Sequence, residues 1–313
     1  MRLSAAISIL LASVAVALVL VEAALQLYVA TVGRRGKMFA VDQTVGWRPL
    51  PMLKLTRLNA AGLPWTIETD QMGRRPIGEP VDPKRTILIL GDSFAFGEGV
   101  NIEDRFDQKI RAAIPDARII NTGVMGFGTD QEYLAGRPYF ARLKANDVVL
   151  ILFNRTDFSD VQRRRFGEHA KPFFQKVASG YELRGPEITM LDIVRDRFLL
   201  SKLLGAPTQP ADTTRIDDPD ATAIIRTVLK RIRSEIPPGA PLIFAYNGDQ
   251  SNHPLAKSYS GAQFCDLVDS CIDLEATVAQ LPASFLPDGH WSVAGHSAAG
   301  DSISRELRAL VIR

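Results

Sequence analysis

The sequence predicts an α/β protein: a three-layer sandwich with a mainly parallel central sheet, preceded by one N-terminal transmembrane helix. Three features support this prediction. The N-terminus is apolar and uncharged, continuous aliphatic segments alternate with amphipathic ones from residue 85 onward, and reactive side chains directly follow the aliphatic segments. Continuous aliphatic strands are typical of parallel sheets because helices cover both faces of such sheets.

Length and composition indicate a globular protein with a sizeable core. The chain has 313 residues, of which 46% are hydrophobic and 23% are charged, close to the averages for globular domains. Because the formal net charge is only +2, we expect no nucleic-acid partner. We interpret the short basic run Arg163, Arg164 and Arg165 as solvated surface.

Residues 1–33 are predicted to form a membrane anchor. Residues 3–21 carry no charged side chain, and a helix rising about 1.5 Å per residue crosses a hydrocarbon core of roughly 30 Å over such a length. The alternative is a signal peptide cleaved near Glu22. We favour a retained single-pass helix in the inner (plasma) membrane, because the apolar segment exceeds a usual signal core and Glu22 is a poor cleavage context.

Two observations bear on which side of the membrane the main domain occupies, and they point to opposite sides. Arg34, Arg35 and Lys37 follow the apolar segment, and the positive-inside rule alone would leave the domain in the cytoplasm. A substrate in the cell envelope favours a periplasmic or extracytoplasmic domain instead. Cys265 and Cys271 are close enough to form a disulfide in an oxidising compartment, or they are two buried thiols.

From residue 34 we predict an extended lead-in up to residue 84, followed by one α/β domain over residues 85–313. The strands of this domain are predicted at residues 86–90, 117–121, 147–153, 241–246 and 271–274. The helices are predicted at about 129–143, 189–204, 220–235 and 293–311, with another beginning near Glu103. The remaining segments are a hairpin at 171–185, turning at 179–180, and a surface connection at 206–219.

Reactive side chains follow the first strand and precede the last helix. The first strand ends in Gly91, Asp92 and Ser93, so the serine hydroxyl can project from a strand-to-helix turn at the edge where α/β proteins bind ligands. A serine nucleophile needs an adjacent base, and histidine, with an ordinary pKa of about 6.5, suits that role. His290 is the candidate base, and Asp288 can orient its imidazole.

Acyl transfer to a serine also requires N–H donors that converge on the developing oxyanion. The amides of Ser93 and of Gly126, which lies in a glycine-rich loop after the second strand, can supply two of them. The third strand runs into Asn154 and Thr156. Either residue is a candidate for the third donor, Asn154 through its amide or Thr156 through its hydroxyl.

Taken in order, these segments resemble the sequence blocks of the SGNH/GDSL hydrolase superfamily. Residues 91–99 are similar to the block that supplies the nucleophile, residues 121–131 to the oxyanion block, and residues 288–296 to the block with the acid and base. Residues 70–75 look like the usual lead-in, and the likeness extends over roughly residues 70–310. The N-terminal helix resembles that of a bacterial, membrane-anchored envelope branch of the superfamily.

The resemblance implies a flavodoxin-like, SGNH-hydrolase-like fold, with residues 85–313 as the catalytic domain. It also implies that Ser93 is the nucleophile, that Asp288 and His290 are the acid and base, and that Gly126 is the oxyanion glycine.

Two departures from the family pattern accompany this resemblance. The third block normally places asparagine directly before aspartate, whereas this chain has Thr156 before Asp157 and Asn154 two residues earlier. On an extended strand, Asn154 and Thr156 point to the same side. The last block is Asp-x-His rather than Asp-x-x-His, a spacing that resembles acetyltransferase-like envelope proteins.

The function implied by the resemblance is hydrolysis of an acyl ester, in particular an O-acetyl ester of a glycan or lipid, through an acyl-Ser93 intermediate and without a cofactor or metal. One alternative is an O-acyltransferase that modifies an envelope glycan with the same triad. Another is a non-catalytic glycan-binding or assembly protein. A weaker alternative is a Mg²⁺ or Ca²⁺ site formed by Asp92, Asp157, Asp288 and His290.

Overall fold

The chain begins with one long helix, α1 (Arg2–Thr31), in a computed structural model that describes residues 2–31, 37–198, 219–247 and 260–311. Within α1, the segment Ala5–Tyr28 has a mean hydropathy of 2.5 and is long and apolar enough to cross a membrane. A signal sequence has the same length and composition. The helix therefore agrees with the predicted anchor and also with its alternative.

Two antiparallel hairpins occupy the predicted lead-in. The first pairs β1 (Phe39–Asp42) with β2 (Gly46–Pro49), and the second pairs β3 (Lys54–Leu58) with β4 (Pro64–Glu68). Each hairpin buries one tryptophan against the main domain: Trp47 packs with Phe127, and Trp65 packs with Phe96.

The described part of the following chain contains nine more strands and eight helices. The strands are β5 (Arg85–Gly91), β6 (Ala117–Asn121), β7 (Val148–Asn154), β8 (Arg165–Phe166), β9 (His169–Ala170), β10 (Phe173–Val177), β11 (Gly180–Arg184), β12 (Leu242–Asn247) and β13 (Ser270–Asp273). The helices are α2 (Ser93–Phe96), α3 (Phe106–Ala113), α4 (Thr129–Phe140), α5 (Asp157–Asp160), α6 (Met190–Arg197), α7 (Pro219–Glu235), α8 (Glu275–Val278) and α9 (Val293–Val311).

The central sheet has five strands in the order β13-β12-β7-β5-β6, and every neighbouring pair is parallel. This confirms the predicted α/β class and the five predicted strands, each within one residue of its expected bounds. The strand order reverses between β5 and β7. In open α/β sheets the crevice beyond the carboxyl ends of two such strands is where ligands bind.

Helices cover both faces of the sheet, which confirms the three layers. Alternate residues of each strand point to opposite faces, so Ile87 and Leu88 on β5 belong to different clusters. One cluster joins the sheet to α4 and α7, and the other joins it to α3 and α9. The disulfide between Cys265 and Cys271 lies beside the edge strand β13, which decides between the two alternatives for these cysteines.

Some predicted helix bounds are wrong, each for a local reason. Instead of a helix from Glu103, a 3₁₀ turn precedes α3, because Arg105 adopts an extended conformation. Helix α4 ends at Phe140 rather than at residue 143, since the next residues form i→i−3 turn bonds. Helix α6 ends before the extended Phe198. The rest of the predicted helix 189–204, and the connection 206–219 up to residue 218, lie outside the described residues.

The packing of aromatic rings in the first cluster generates a stability prediction. Phe153 is fully buried, and its ring lies 5.0–5.6 Å from the rings of Phe158, Phe244 and Phe264. Replacing it (Phe153→Ala) should lower the free energy of unfolding by about 3–5 kcal/mol, because the rings around the cavity cannot fully close it. Urea denaturation in detergent micelles measures this change. Val81→Ala is the control, because Val81 is fully exposed. This variant should change the free energy of unfolding by less than about 0.5 kcal/mol.

Candidate active site

Ser93 is the first residue of the short helix α2, directly beyond the carboxyl end of β5. Asp92 caps this helix by accepting a hydrogen bond from the Phe94 amide at 2.9 Å. The helix ends after one turn because Gly97 adopts φ +77°, a conformation that favours glycine. The chain therefore turns sharply on both sides of Ser93 and presents its side chain at the switch point of the sheet.

The structure brings the three predicted catalytic residues together. Ser93 Oγ lies 2.8 Å from His290 Nε2, across 197 positions of the sequence. His290 Nδ1 is 3.2 Å from Asp288 Oδ2, but the two atoms lack hydrogen-bond alignment. Asp288 also accepts a 3.2 Å hydrogen bond from the His290 amide. The carboxylate is thus held beside the imidazole, in a loop where Gly289 adopts φ +91°.

Glu98 is a residue near the candidate base His290 that sequence reasoning did not single out. Its Oε2 lies 3.3 Å from His290 Nε2, the same nitrogen that contacts Ser93. Burial raises the pKa of Glu98, and the nearby His290 opposes that shift. When the imidazole is protonated, Glu98 can accept its Nε2–H, so it offers a second partner for the imidazolium. The sequence contains no signal for this contact beyond the position of Glu98 in the loop after Ser93.

Asn154 and Thr156 have different positions in the hydrogen-bond network. Asn154 is 1% exposed, and its Nδ2 donates to Asp92 Oδ2 at 2.5 Å. Its Oδ1 accepts from the amide and the hydroxyl of Thr156, at 2.8 and 2.7 Å. The Thr156 hydroxyl is therefore engaged as a donor, whereas Asn154 Nδ2 keeps a second N–H.

Gly126 lies in a loop fastened from two sides. Trp47 Nε1 donates to the carbonyl of Met125 at 3.1 Å, and the amide of Val124 donates to Gly91 at the end of β5. Gly126 has φ +76°, and a Cβ there would lie 2.7 Å from the Phe166 ring, so two constraints favour glycine. Across the described residues, neither the Gly126 amide nor the Ser93 amide donates to another group.

Buried carboxyl groups extend behind the site. Asp130 forms a buried ion pair with Lys171, with Nζ–O distances of 2.7 and 2.9 Å. Asp157 accepts the Asn154 amide at 2.9 Å, and burial raises its pKa well above its ordinary range. Burial likewise raises the pKa of Glu132 well above its ordinary range, and neither of its carboxyl oxygens has a partner among the described residues. Burial raises the pKa of Asp160 to about 7.

The weaker alternative of a cation site is not supported. Among the described residues, no group of three or more His, Cys, Asp or Glu side chains is arranged to hold a metal ion. Asp92 and Asp157 instead accept hydrogen bonds from Asn154. Their oxygens are therefore engaged by protein donors.

Arg75 was also missed by sequence reasoning. Its guanidinium donates to the carbonyls of Gly97 and Val100, at 2.7 and 3.0 Å, and so fastens the loop that carries Glu98. Burial lowers the pKa of Arg75 to about 9. Nothing local in the sequence distinguishes this arginine from exposed ones, because its partners are backbone carbonyls nine or more residues away.

Comparisons with known proteins find related folds among solved structures only. No family model and no curated protein sequence matches the chain. The similar solved structures include a member of the lipolytic protein G-D-S-L family from Veillonella parvula, 11% identical, with a TM-score of 0.44 over 71% of this chain and 97% of that one.

Two further solved structures are similar to this chain, with comparable identities and TM-scores. A carbohydrate acetylesterase family member from Sinorhizobium meliloti is 14% identical, with a TM-score of 0.38 over 73% of this chain and all of that one. A psychrotrophic esterase from Pseudoalteromonas is 12% identical, with a TM-score of 0.41 over 73% of this chain and 99% of that one. The likeness to each of these structures is one of fold.

The raised pKa of Asp160 predicts a pH dependence of stability. The folded-state pKa of about 7 lies above the ordinary value of 3.8, so the folded protein binds this proton more tightly than the unfolded chain does. The resulting stabilisation is complete below about pH 4 and is lost as the pH rises toward 7. Relative to wild type, Asp160→Asn should therefore gain about 1–3 kcal/mol of unfolding free energy between pH 5 and pH 7.5.

Urea denaturation at the two pH values measures this difference. The matched control is Asp266→Asn, because Asp266 is an exposed carboxylate that pairs with an arginine. Parallel pH profiles for wild type and Asp160→Asn would contradict the prediction.

Proposed function

We propose that this chain is a serine-dependent ester hydrolase of the SGNH/GDSL superfamily, acting through an acyl-Ser93 intermediate. The observation that carries the proposal is the 2.8 Å contact between Ser93 Oγ and His290 Nε2, with Asp288 beside the other ring nitrogen. A nucleophile, a base and an orienting acid at a topological switch point form the constellation that acyl transfer requires.

The chemistry divides into two steps. In the first, Ser93 Oγ attacks the ester carbonyl while His290 Nε2 accepts the hydroxyl proton, and the imidazolium then donates that proton to the departing alcohol. In the second, His290 takes a proton from water, the hydroxide attacks the acyl-serine, and the carboxylic acid leaves as Ser93 regains its proton. Asp288 and Glu98 both lie close enough to the ring nitrogens of His290 to stabilise the imidazolium in both steps.

We assign the oxyanion hole to the amides of Ser93 and Gly126 and to the side chain of Asn154. Within the described parts of the chain neither amide donates to another acceptor, and Asn154 Nδ2 keeps one N–H after its bond to Asp92. Thr156 acts in this scheme as a positioning residue, since its hydroxyl and amide hold Asn154 Oδ1. The position two residues before Thr156 thus takes over the role that the family gives to the asparagine directly before aspartate.

The proposed substrate is an O-acetyl ester of an envelope glycan or lipid. The resemblance of the site blocks supports ester chemistry, and α1 supports a location at the inner membrane. The disulfide between Cys265 and Cys271 favours an oxidising compartment, and therefore a periplasmic or extracytoplasmic domain. The same triad would serve an O-acyltransferase if a sugar hydroxyl replaced water in the second step; product analysis with and without a glycan acceptor separates the two.

The nucleophile assignment predicts the result of covalent labelling. A fluorophosphonate probe should label the wild type, and Ser93→Ala should abolish labelling and lower kcat/KM on a soluble acetyl ester by about three orders of magnitude or more. Ser234→Ala, which removes an exposed serine hydroxyl on α7, is the matched control and should label fully. Persistent labelling of Ser93→Ala would overturn the assignment.

The oxyanion assignment predicts unequal losses at the two candidate donors. Asn154→Ala should lower kcat/KM by about 10²–10³, the usual effect of removing one oxyanion donor. Thr156→Val keeps the shape of the side chain and removes one supporting hydrogen bond, so a loss of about fivefold to tenfold is expected. Kinetics on a soluble acetyl ester, with thermal unfolding as a check on folding, measure both. A larger loss for Thr156→Val would make Thr156 the donor.

A further inference from the structure

Helix α6 has its polarity reversed relative to an ordinary surface helix. Met190, Leu191 and Ile193 are 74, 51 and 37% exposed, whereas Asp192 is only 7% exposed. Surface helices normally bury their apolar side and expose their charges. On α6 the apolar side is the one that faces away from the protein.

The buried side of α6 is held by charged contacts. Asp192 pairs with Arg165 at 2.5 Å and accepts hydrogen bonds from the amide and hydroxyl of Thr189, both at 2.8 Å. One helical turn later, Asp196 pairs with Lys37 at 3.0 Å, and Lys37 also donates to the Asp196 carbonyl at 2.6 Å. These contacts fix which side of the helix faces outward.

The outward side is continuous. Because successive helix residues are about 100° apart, Met190, Leu191 and Ile193 fall within one arc of about 160°. Arg197 lies on the same arc and is exposed. A contiguous apolar patch of this kind marks an interaction surface, unlike isolated exposed apolar side chains.

The chain connectivity places this patch near the end of α1. Helix α1 ends at Thr31, and Lys37, which pairs with α6, follows six positions later. Six residue steps reach at most about 20 Å. Arg197 on α6 is exposed, and the sequence between α1 and Lys37 contains Arg34 and Arg35; such basic residues suit the anionic headgroups of a bilayer.

We propose that α6 lies in the membrane–water interface, with Met190, Leu191 and Ile193 inserted among the lipids and Arg197 at the headgroups. The inference rests on the proposed retention of α1 as an anchor. It adds a second membrane contact, so the domain is held in one orientation instead of rotating on a single tether.

That orientation sets where the candidate site faces. Arg165, which pairs with α6, precedes Phe166, whose ring covers Gly126. The interfacial helix is therefore connected through two adjacent residues to the oxyanion loop. An active site held in this way takes its ester from the bilayer surface more readily than from solution.

Lipid quenching on the full-length protein tests the contact directly. The sequence has only Cys265 and Cys271, which are bonded to each other, so Leu191→Cys can carry a single environment-sensitive dye. In phosphatidylcholine–phosphatidylglycerol vesicles, a doxyl-labelled lipid should quench this dye severalfold more than a dye at Val81→Cys. Val81 is a fully exposed control position before β5, at the amino-terminal edge of the sheet.

Two results would overturn the proposal. Equal quenching at the two positions would leave α6 in water. A dye at Leu191→Cys that is shielded from aqueous iodide without being quenched by the doxyl lipid would mean that protein covers the patch, whether a second copy or another part of this chain. The fluorescence readout requires no catalysis, so it stands or fails separately from the proposed ester hydrolysis.

A double variant, Met190→Asp with Leu191→Asp, tests the consequence for the site. Both side chains are exposed, so folding should be retained. Hydrolysis of an acetyl ester presented in vesicles should fall by about tenfold, because α1 still tethers the domain but the site is no longer held toward the bilayer, while hydrolysis of a soluble acetyl ester stays unchanged. Equal activity of wild type and variant on the vesicle-bound ester would contradict the proposed orientation.

Discussion

The hydrogen bond from Asn154 to Asp92 joins the carboxyl ends of the two strands at which the sheet order reverses. Asp92 then caps α2 and sets the direction of Ser93, while Thr156 fixes the amide of Asn154 from the other side. A contact between adjacent parallel strands can hold these atoms closely because the strands themselves are buried on both faces. The rest of the candidate site is built around this bond.

The same arrangement carries an electrostatic cost. Asp92, Asp157 and Glu132 lie close together away from water, and burial raises the pKa of each. The ammonium of Lys171 forms its ion pair with the neighbouring Asp130. A cluster of this kind persists because the surrounding aliphatic layers stabilise the fold and because protonation relieves the repulsion. The buried carboxyl groups behind Ser93 therefore lower the stability of the fold as the pH rises toward neutral.

The lead-in and helix α6 contribute to the structure around the candidate site. Trp47 supports the loop of Gly126 and Arg75 supports the loop of Glu98, although both residues precede the central sheet in the sequence. Lys37 connects the region after α1 to α6, which in turn pairs with the segment that covers Gly126. Lys37, α6, the lead-in and the candidate site are therefore joined through a short series of ion pairs and aromatic contacts.

The sequence by itself determined the α/β class, the five parallel strands and the Ser93, Asp288 and His290 candidates. Aliphatic runs of strand length have few other ways to be buried, and the reactive residues stand beside strand or helix ends in a recognisable order. Only the tertiary structure decided the partner of Asn154, the approach of Glu98 to His290 and the outward apolar side of α6. These three features depend on contacts between residues that are far apart in the chain. Local sequence pattern and helix or strand propensity do not predict such contacts.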